Sequence, residues 1–194
     1  MEYQQSDQVY AEKMKDLFIE TCSGRNFYFD SSPFYIDDIA CSLSKLCRFN
    51  GHCKRFYSVA SHCILVWDIM ENLKLGDPLE GLLHDATEAY LADIPSPWKV
   101  LLPEYKALEQ CLDSRLRKQF GLPEKISNGA KKADYLALFI EAKELIPSKG
   151  KDWPAQDGIK EEAIEYEKKF PIDLWRDNEN VANTFIGKYY DGIG

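Results

Sequence analysis

Long apolar runs are missing from this sequence: none reaches the roughly 18 consecutive residues that indicate a membrane-spanning helix. No basic segment followed by an apolar one opens the chain, so we expect no signal peptide. The six cysteines form no CxxC pair. They are interpreted as reduced thiols rather than as a disulfide framework. These absences predict a cytoplasmic protein without a membrane partner.

Positive charge is also in short supply. The chain has 24 Lys and Arg against 32 Asp and Glu, which gives a net charge of −8 at pH 7. A nucleic-acid backbone requires a positive surface, so we expect no nucleic-acid polymer as a partner. A small phosphorylated ligand remains compatible if metal ions or local cations offset the repulsion.

Strand-type alternation is weak throughout, and NFYFD at 26–30 is the one possible short strand. Helical periodicity instead predicts helices over 33–49, 57–73, 78–93, 103–120, 129–146, 160–169 and 179–189. The prediction is an all-α fold formed by a single domain spanning 1–194. Its core covers about 24–154, and a helical C-terminal extension covers 155–194.

Three predicted helix starts have clear capping chemistry. Ser32 and Asp77 each precede a proline, which suits the first position of a helix, and Ser58 precedes a third apolar pattern. Glu80 is predicted to complete a capping box with Asp77.

The stretch LLHDATEAYLADIP, at 82–95, is apolar except for four groups that are costly to bury: His84, Asp85, Glu88 and Asp93. On a helix, residues three or four apart share one edge, so Glu88 can lie beside both Asp85 and His84. Adjacent residues diverge by about 100°, so His84 and Asp85 would grip an ion from its flank. A divalent metal ion is the simplest partner for such groups.

Two further residues extend this set. Histidine is rare, with three in the chain, and His62 lies amid apolar neighbours at helical spacing. Asp134 is a carboxylate on another mostly apolar helix. His62, His84, Asp85 and Asp134 together form a nitrogen and oxygen donor set that suits zinc, cobalt, manganese or iron rather than calcium. Taken singly, each histidine could instead be a hydrogen-bonded core residue, and Asp134 could be a surface acid.

The order H…HD…D, with acids at these offsets, resembles the HD-domain metal-dependent phosphohydrolases. The resemblance is to the group of bacterial 5′-deoxynucleotidases and phage dATP triphosphohydrolases, and it spans roughly Gly24 to Pro154. The segments that carry it are RFNGH, FYSVASHC, LLHDATEAYLADIPSPWK, LPEYKALE and KKADYLAL. The pattern is specific for the superfamily but not for a substrate.

The resemblance implies a single HD-domain helical bundle in which His62, His84, Asp85 and Asp134 bind the metal. It implies that Glu88 and Asp93 are catalytic, positioning water and handling protons. Without it, Glu88 could be a solvated helix acid and Asp93 could cap the turn before Pro95.

Substrate-binding residues are also implied by the resemblance. Arg48 would contact phosphate, Phe49 would lie near the nucleoside, and Pro97 would pack against sugar or base. Lys99 and Lys131 would hold further phosphates, with additional Mg²⁺ bound to them. Each of these could otherwise be an ordinary surface or core residue.

The predicted function is therefore a dNTP triphosphohydrolase that converts dATP to deoxyadenosine and triphosphate. The alternatives are a 5′-deoxynucleotidase acting on dNMPs, a non-catalytic nucleotide sensor that keeps its metal, and hydrolysis of a cyclic or alarmone nucleotide. The resemblance also implies a homo-oligomer, located in the host cytoplasm if the protein is phage-encoded.

Overall fold

The computed structural model describes residues 17–155, 158–172, 174 and 180–194. Two short antiparallel strands, β1 (Phe18–Glu20) and β2 (Asn26–Tyr28), are followed by α-helices and one 3₁₀ helix (Arg48–Gly51). The α-helices are α1 (Ile36–Leu43), α2 (Val59–Leu73), α3 (Pro78–Leu83), α4 (Glu88–Leu91), α5 (Ser96–Lys99), α6 (Pro103–Phe120), α7 (Asn128–Leu145), α8 (Ile159–Lys169) and α9 (Val181–Ile193). The described residues are mostly helical, in agreement with the predicted all-α class.

Helix α2 lies between two clusters of buried apolar side chains. The first cluster is built with α1, α3, α6 and α9, and α2 contributes to it Val59, Ala60, Cys63 and Trp67. The second is built with α7 and α8, and α2 contributes to it Leu65, Val66, Ile69 and Met70. Each large aliphatic side chain buried in this way is worth roughly 1.5–3 kcal/mol. A residue on α2 can therefore reach groups from both halves of the core.

The β1–β2 hairpin is fastened to the start of α1. Ser23 donates to Asp38 from both its backbone N–H and its hydroxyl at 3.0 Å, and Arg25 Nη1 donates at 2.9 Å. Burial raises the pKa of Asp38, but these hydrogen bonds outweigh it and hold the pKa below its usual value. Further along α1, the Ser42 hydroxyl donates to the carbonyl of Ala89 at 2.9 Å, which ties α4 to α1.

The predicted helix over 33–49 was too long. Ser32 does not cap it: its hydroxyl accepts from the backbone N–H of Tyr28 at 2.9 Å, and α1 begins three residues after Pro33. At the other end α1 stops at Leu43, and Arg48 lies in the separate 3₁₀ helix. The predicted caps Asp77 and Ser58 are confirmed, because each side chain accepts from a backbone N–H of its helix.

The capping box predicted for Glu80 was wrong. The Glu80 carboxylate is buried and accepts from Arg117 Nη1 at 3.1 Å and from the Ser127 backbone N–H at 2.9 Å. It therefore joins α3 to α6 and to the start of α7. A buried acid with a guanidinium partner is a packing element rather than a helix cap.

The single helix predicted over 78–93 was also wrong. Between α3 and α4 the chain turns through 84–87 with i to i+3 bonds, from Ala86 N–H to Leu83 (3.1 Å) and from Glu88 N–H to Asp85 (3.0 Å). The His84 ring donates from Nδ1 to the Gly81 carbonyl at 2.8 Å. It thereby occupies the acceptor that the next α-helical N–H would use. The tighter turn decides where the ionisable groups of this segment point.

Across the part of the chain that the structure describes, no helix is both long enough and apolar enough to cross a membrane.

Candidate metal centre

Three of the predicted ligands converge where α2 faces the 84–87 turn. His62 Nε2 lies 3.3 Å from His84 Nε2 and 3.7 Å from Asp85 Oδ2, and His84 Nε2 lies 3.2 Å from the same carboxylate oxygen. All three ligand atoms lie within 4.8 Å of one another, close enough to hold one metal ion.

Asp134 on α7 reaches the same point. Its Oδ1 lies 3.1 Å from His62 Nε2 and 3.9 Å from His84 Nε2. Its side chain is 41% exposed, whereas the His62 side chain is fully buried. The four predicted ligands therefore lie together, and the centre opens towards solvent on the α7 side.

The protonation of the two imidazoles decides whether a cation fits. A carbonyl oxygen only accepts hydrogen bonds, so His84 Nδ1 must carry the proton that it shares with Gly81. His62 Nδ1 lies 2.7 Å from Glu141 Oε1 and donates to that carboxylate. Burial lowers the pKa of both rings, but the neighbouring carboxylates outweigh burial and raise it. In the neutral form that a metal ion requires, each ring presents the lone pair of its Nε2 to the other. Two lone pairs 3.3 Å apart, with two carboxylates beside them, are a donor set that fits a divalent metal ion.

Glu141, which the sequence reasoning missed, is the fully buried acid behind this centre. Besides His62, it accepts from Arg48 Nη2 at 3.0 Å. Burial raises its pKa, but the positive charge of Arg48 and the contact with His62 outweigh that effect and keep the pKa below its usual value. The signal was present: Glu141 stands two helical turns after Asp134, on an otherwise apolar face of α7.

Arg48 is oriented by carboxylates on two sides. Glu141 holds one end of the guanidinium, and Nη1 lies 3.8 Å from Asp85 Oδ2. Burial opposes its charge, but the nearby carboxylates outweigh burial and raise its pKa. Its Nε is buried without a hydrogen-bond partner among the described residues. One donor of a permanently charged group is therefore left over at the centre.

Glu88 carries a buried acceptor that also lacks a partner among the described residues. It is 5% exposed, and its Oε2 has no hydrogen-bond partner within the described ranges. Burial, together with the charges of Asp85 and Asp93, raises the pKa of Glu88 well above its usual value. Buried polar atoms without partners are rare in folded proteins. Both such atoms in the described part of the chain, Arg48 Nε and Glu88 Oε2, belong to residues predicted to act on the substrate.

A cavity of about 190 Å³ lies beside Glu88. It is lined by His84, Asp85 and Glu88 on one side and by Glu109 and Asp113 of α6 on the other, among others. Asp93, the other predicted catalytic acid, is half-buried just after α4. Burial raises its pKa, and Asp85 adds to the effect although Arg48 opposes it.

The predicted substrate-binding residues, unlike the four predicted ligands, do not lie together at one point. Lys99 Nζ lies 2.6 Å from Glu109 Oε1 and 3.6 Å from Glu88 Oε1, so it is already engaged. Phe49 is half-buried and packs on Trp153 with ring centroids 5.9 Å apart.

The two remaining substrate-binding predictions lie at the protein surface. Pro97 is exposed on α5, and Lys131 is exposed one turn before Asp134 on α7. Neither makes a hydrogen bond or ion pair with the four ligands in the described part of the chain. Their assignment to the substrate stays a prediction.

The fold and the centre define a mostly helical protein with a His/Asp cluster that could hold a metal ion. No protein-family model matches the chain. The chain is 44% identical to the uncharacterized protein YfdR of Escherichia coli (strain K12) over 145 residues, which cover 73% of this chain and 80% of YfdR. It is 33% identical to the uncharacterized protein RCAP_rcc00048 of Rhodobacter capsulatus over 146 residues, 68% of this chain and 74% of that protein. The chain belongs to the family that contains these two proteins.

Proposed function

We propose that the protein is an HD-domain metal-dependent phosphohydrolase whose substrate is a deoxynucleotide. The observation that carries the proposal is the convergence of two imidazole Nε2 atoms with two carboxylates. Arg48 and Glu88, close by, each have a buried polar atom without a partner among the described residues. The resemblance of the H…HD…D segments to that superfamily supports the same conclusion.

His62, His84, Asp85 and Asp134 would hold the ion. Their mixture of nitrogen and oxygen donors suits zinc, cobalt, manganese or iron. When bound, such an ion supplies a water of lowered pKa and polarises a phosphoryl oxygen.

The chain's own residues would perform the remaining tasks. Arg48 would donate to a phosphate oxygen, while Glu141 fixes the other end of the guanidinium. Glu88, whose pKa is raised by burial and by the charges of Asp85 and Asp93, would be the group that exchanges a proton with water. Asp93, also with a raised pKa, is the second acid available for proton transfer towards the leaving O5′.

Two substrates share the bond to be cleaved, between the α-phosphorus and O5′. The resemblance of Lys99 and Lys131 to phosphate-binding lysines favours a triphosphate, with dATP as the proposed substrate. The 2.6 Å contact of Lys99 with Glu109 favours the second candidate, a 5′-deoxynucleotidase. A lysine already paired with a carboxylate is not available to a β- or γ-phosphate unless that pair breaks.

The deciding experiment incubates protein loaded with each metal with dATP and with dAMP, and identifies the products. Deoxyadenosine and triphosphate from dATP would support the leading proposal. Phosphate from dAMP with dATP untouched would transfer the proposal to the nucleotidase. Binding of both nucleotides without turnover under any metal would refute hydrolysis and leave a sensor.

A substitution then tests the role of Glu88. We expect Glu88→Gln to lower turnover by about 10²- to 10⁴-fold, the usual contribution of a positioned acid or base. Metal content, measured by elemental analysis, should stay unchanged because Glu88 is not a ligand. Glu104→Gln, an exposed acid at the start of α6, is the matched control. Full turnover in Glu88→Gln would place the proton chemistry elsewhere.

A further inference from the structure

Two cysteines flank the segment that carries Arg48. Cys47 precedes the 3₁₀ helix and Cys53 follows it, and their sulfur atoms lie 3.8 Å apart. Both side chains are half-buried, so a small reagent can reach them without the core opening. A disulfide requires an S–S distance of about 2.05 Å, so the sulfurs need to approach by less than the width of one atom.

The backbone between them already folds back on itself. Phe49 and Asn50 have φ of 56° and 54°, the left-handed conformation that side chains other than glycine adopt at a cost. The Cys47 end of the loop is bonded to the segment that follows Cys53. The Arg48 N–H donates to the Tyr57 carbonyl at 2.8 Å, and Cys47 forms an isolated β-bridge with Ser58. At the other end, the Lys54 N–H donates to the Leu145 carbonyl at 2.9 Å. These contacts hold both ends of the loop, with the two sulfur atoms side by side.

We propose that Cys47 and Cys53 form a reversible disulfide that closes a ring around Arg48 and Phe49. The oxidant is a small-molecule disulfide such as oxidised glutathione. One cysteine thiolate attacks it, giving a mixed disulfide and one glutathione thiol. The second cysteine then displaces the second glutathione thiol. Two protein thiols are oxidised to one disulfide, one glutathione disulfide is reduced to two thiols, and the two protons lost by the protein end on those glutathione thiols.

The sequence offers a direct assay, because trypsin cleaves inside the ring. After treatment with oxidised glutathione, free thiols are alkylated, and the protein is unfolded and digested without reductant. Cleavage after Lys45, Arg48 and Lys54 gives the peptides LCR and FNGHCK. Because burial and Cys47 raise the pKa of Cys53, the exchange is run at mildly alkaline pH.

We expect LCR and FNGHCK to appear as one disulfide-linked species that dithiothreitol separates. Cys53→Ser should give only a glutathione adduct on Cys47, which also shows that Cys47 is reachable. The proposal is overturned if both wild-type peptides remain alkylated, if each carries its own glutathione, or if either is linked to a peptide containing another cysteine.

The ring would also act on Arg48, and this part rests on the proposed function. Formation of the disulfide would shift the loop that carries Arg48, whose guanidinium donates to Glu141 at 3.0 Å. Misplacing a positioning group by about 1 Å can cost about 100-fold in rate. We therefore expect the oxidised metal-loaded enzyme to lose up to about 100-fold in kcat/KM and to recover it with dithiothreitol.

Cys47→Ser with Cys53→Ser, treated in the same way, should keep its turnover. Equal turnover of oxidised and reduced wild type overturns control by the ring. Absence of turnover in the reduced enzyme refutes the proposed function instead, while the linked peptide still reports on the disulfide.

Discussion

Glu141 shows how one buried side chain can set the properties of two others. It accepts a hydrogen bond from His62 Nδ1 at 2.7 Å and another from Arg48 Nη2 at 3.0 Å. The first contact turns the Nε2 lone pair of His62 towards the candidate metal, and the second aims Arg48. Glu141 would therefore be a positioning residue for both groups.

The first prediction concerns the negative charge of Glu141. We expect Glu141→Gln to weaken metal binding by about 10- to 100-fold, because an amide holds the His62 N–H less strongly than a carboxylate. Affinity is measured by competition with a chromophoric chelator.

Glu144→Gln, an exposed acid on the same helix, serves as the control and should bind like wild type. Equal affinities for all three proteins would show that Glu141 serves packing alone.

At the scale of elements, α7 approaches the end of α2 so closely that only glycine fits at the contact. A Cβ at Gly129 would lie 1.8 Å from the backbone carbonyl oxygen of Leu75. Backbone cannot rotate away as a side chain can, so α7 would have to move as a whole. Asp134 is on this helix, five residues further along, and would move with it.

We expect Gly129→Ala to lower the free energy of unfolding by about 1–3 kcal/mol, as overpacking usually does, and to weaken metal binding as well. Denaturant unfolding with and without metal measures both effects.

Gly187 on α9 is the control, since a Cβ there meets nothing within 4 Å. Alanine at that position should instead add up to about 1 kcal/mol of helix propensity. A Gly129→Ala protein as stable as wild type would contradict the close approach.

The pair of Lys99 and Glu109 joins α5 to α6 beside the cavity. Burial lowers the pKa of Lys99, but the hydrogen bond to Glu109 outweighs burial and raises it. Lys99 therefore stays charged and bound to that acid. We expect Glu109→Gln to release Lys99 and to lower KM for dATP by up to about fivefold, the worth of a partly exposed ion pair. KM for dAMP should not change.

Steady-state kinetics on both nucleotides test this. Glu104→Gln controls for a general loss of negative charge. An equal change for dATP and dAMP would mean that Lys99 does not distinguish the longer phosphate chain.

At the scale of the whole molecule, the centre joins the two halves of the core. His62 comes from the helix between the apolar clusters, Asp85 from the turn beside the first cluster, and Asp134 from a helix of the second. A metal site formed by all of these residues would exist only in the folded state. Binding free energy then adds to folding free energy.

We expect metal at about 100 times its Kd to stabilise the fold by about 2.7 kcal/mol. That corresponds to a Tm increase of about 5–11 °C for a chain of this length. Differential scanning calorimetry with metal and with a chelator measures the shift.

Asp134→Asn should lose most of the shift, whereas His52→Ala, at an exposed histidine, should keep it. An unchanged Tm of the wild type with and without metal would contradict metal binding at this centre.

The sequence was sufficient for features that depend on local pattern. Helical periodicity placed His62 and Asp134 on apolar helices, and the H…HD…D order singled them out as partners. It failed where the partner is distant. Glu141 meets His62 across 79 residues and Glu80 meets Arg117 across 37, and no local rule links such pairs. The turn at 84–87 was missed because a ring nitrogen, rather than a backbone N–H, occupies the Gly81 carbonyl.

That turn has a consequence for how the protein can vary. With bonds from i to i+3, each added or removed residue rotates the side chains beyond it by about 120°. Asp85 and Glu88 therefore face the same way only at their present separation. Ala86 and Thr87 are buried, so packing limits what can replace them. We also expect the number of residues between the two acids to be fixed.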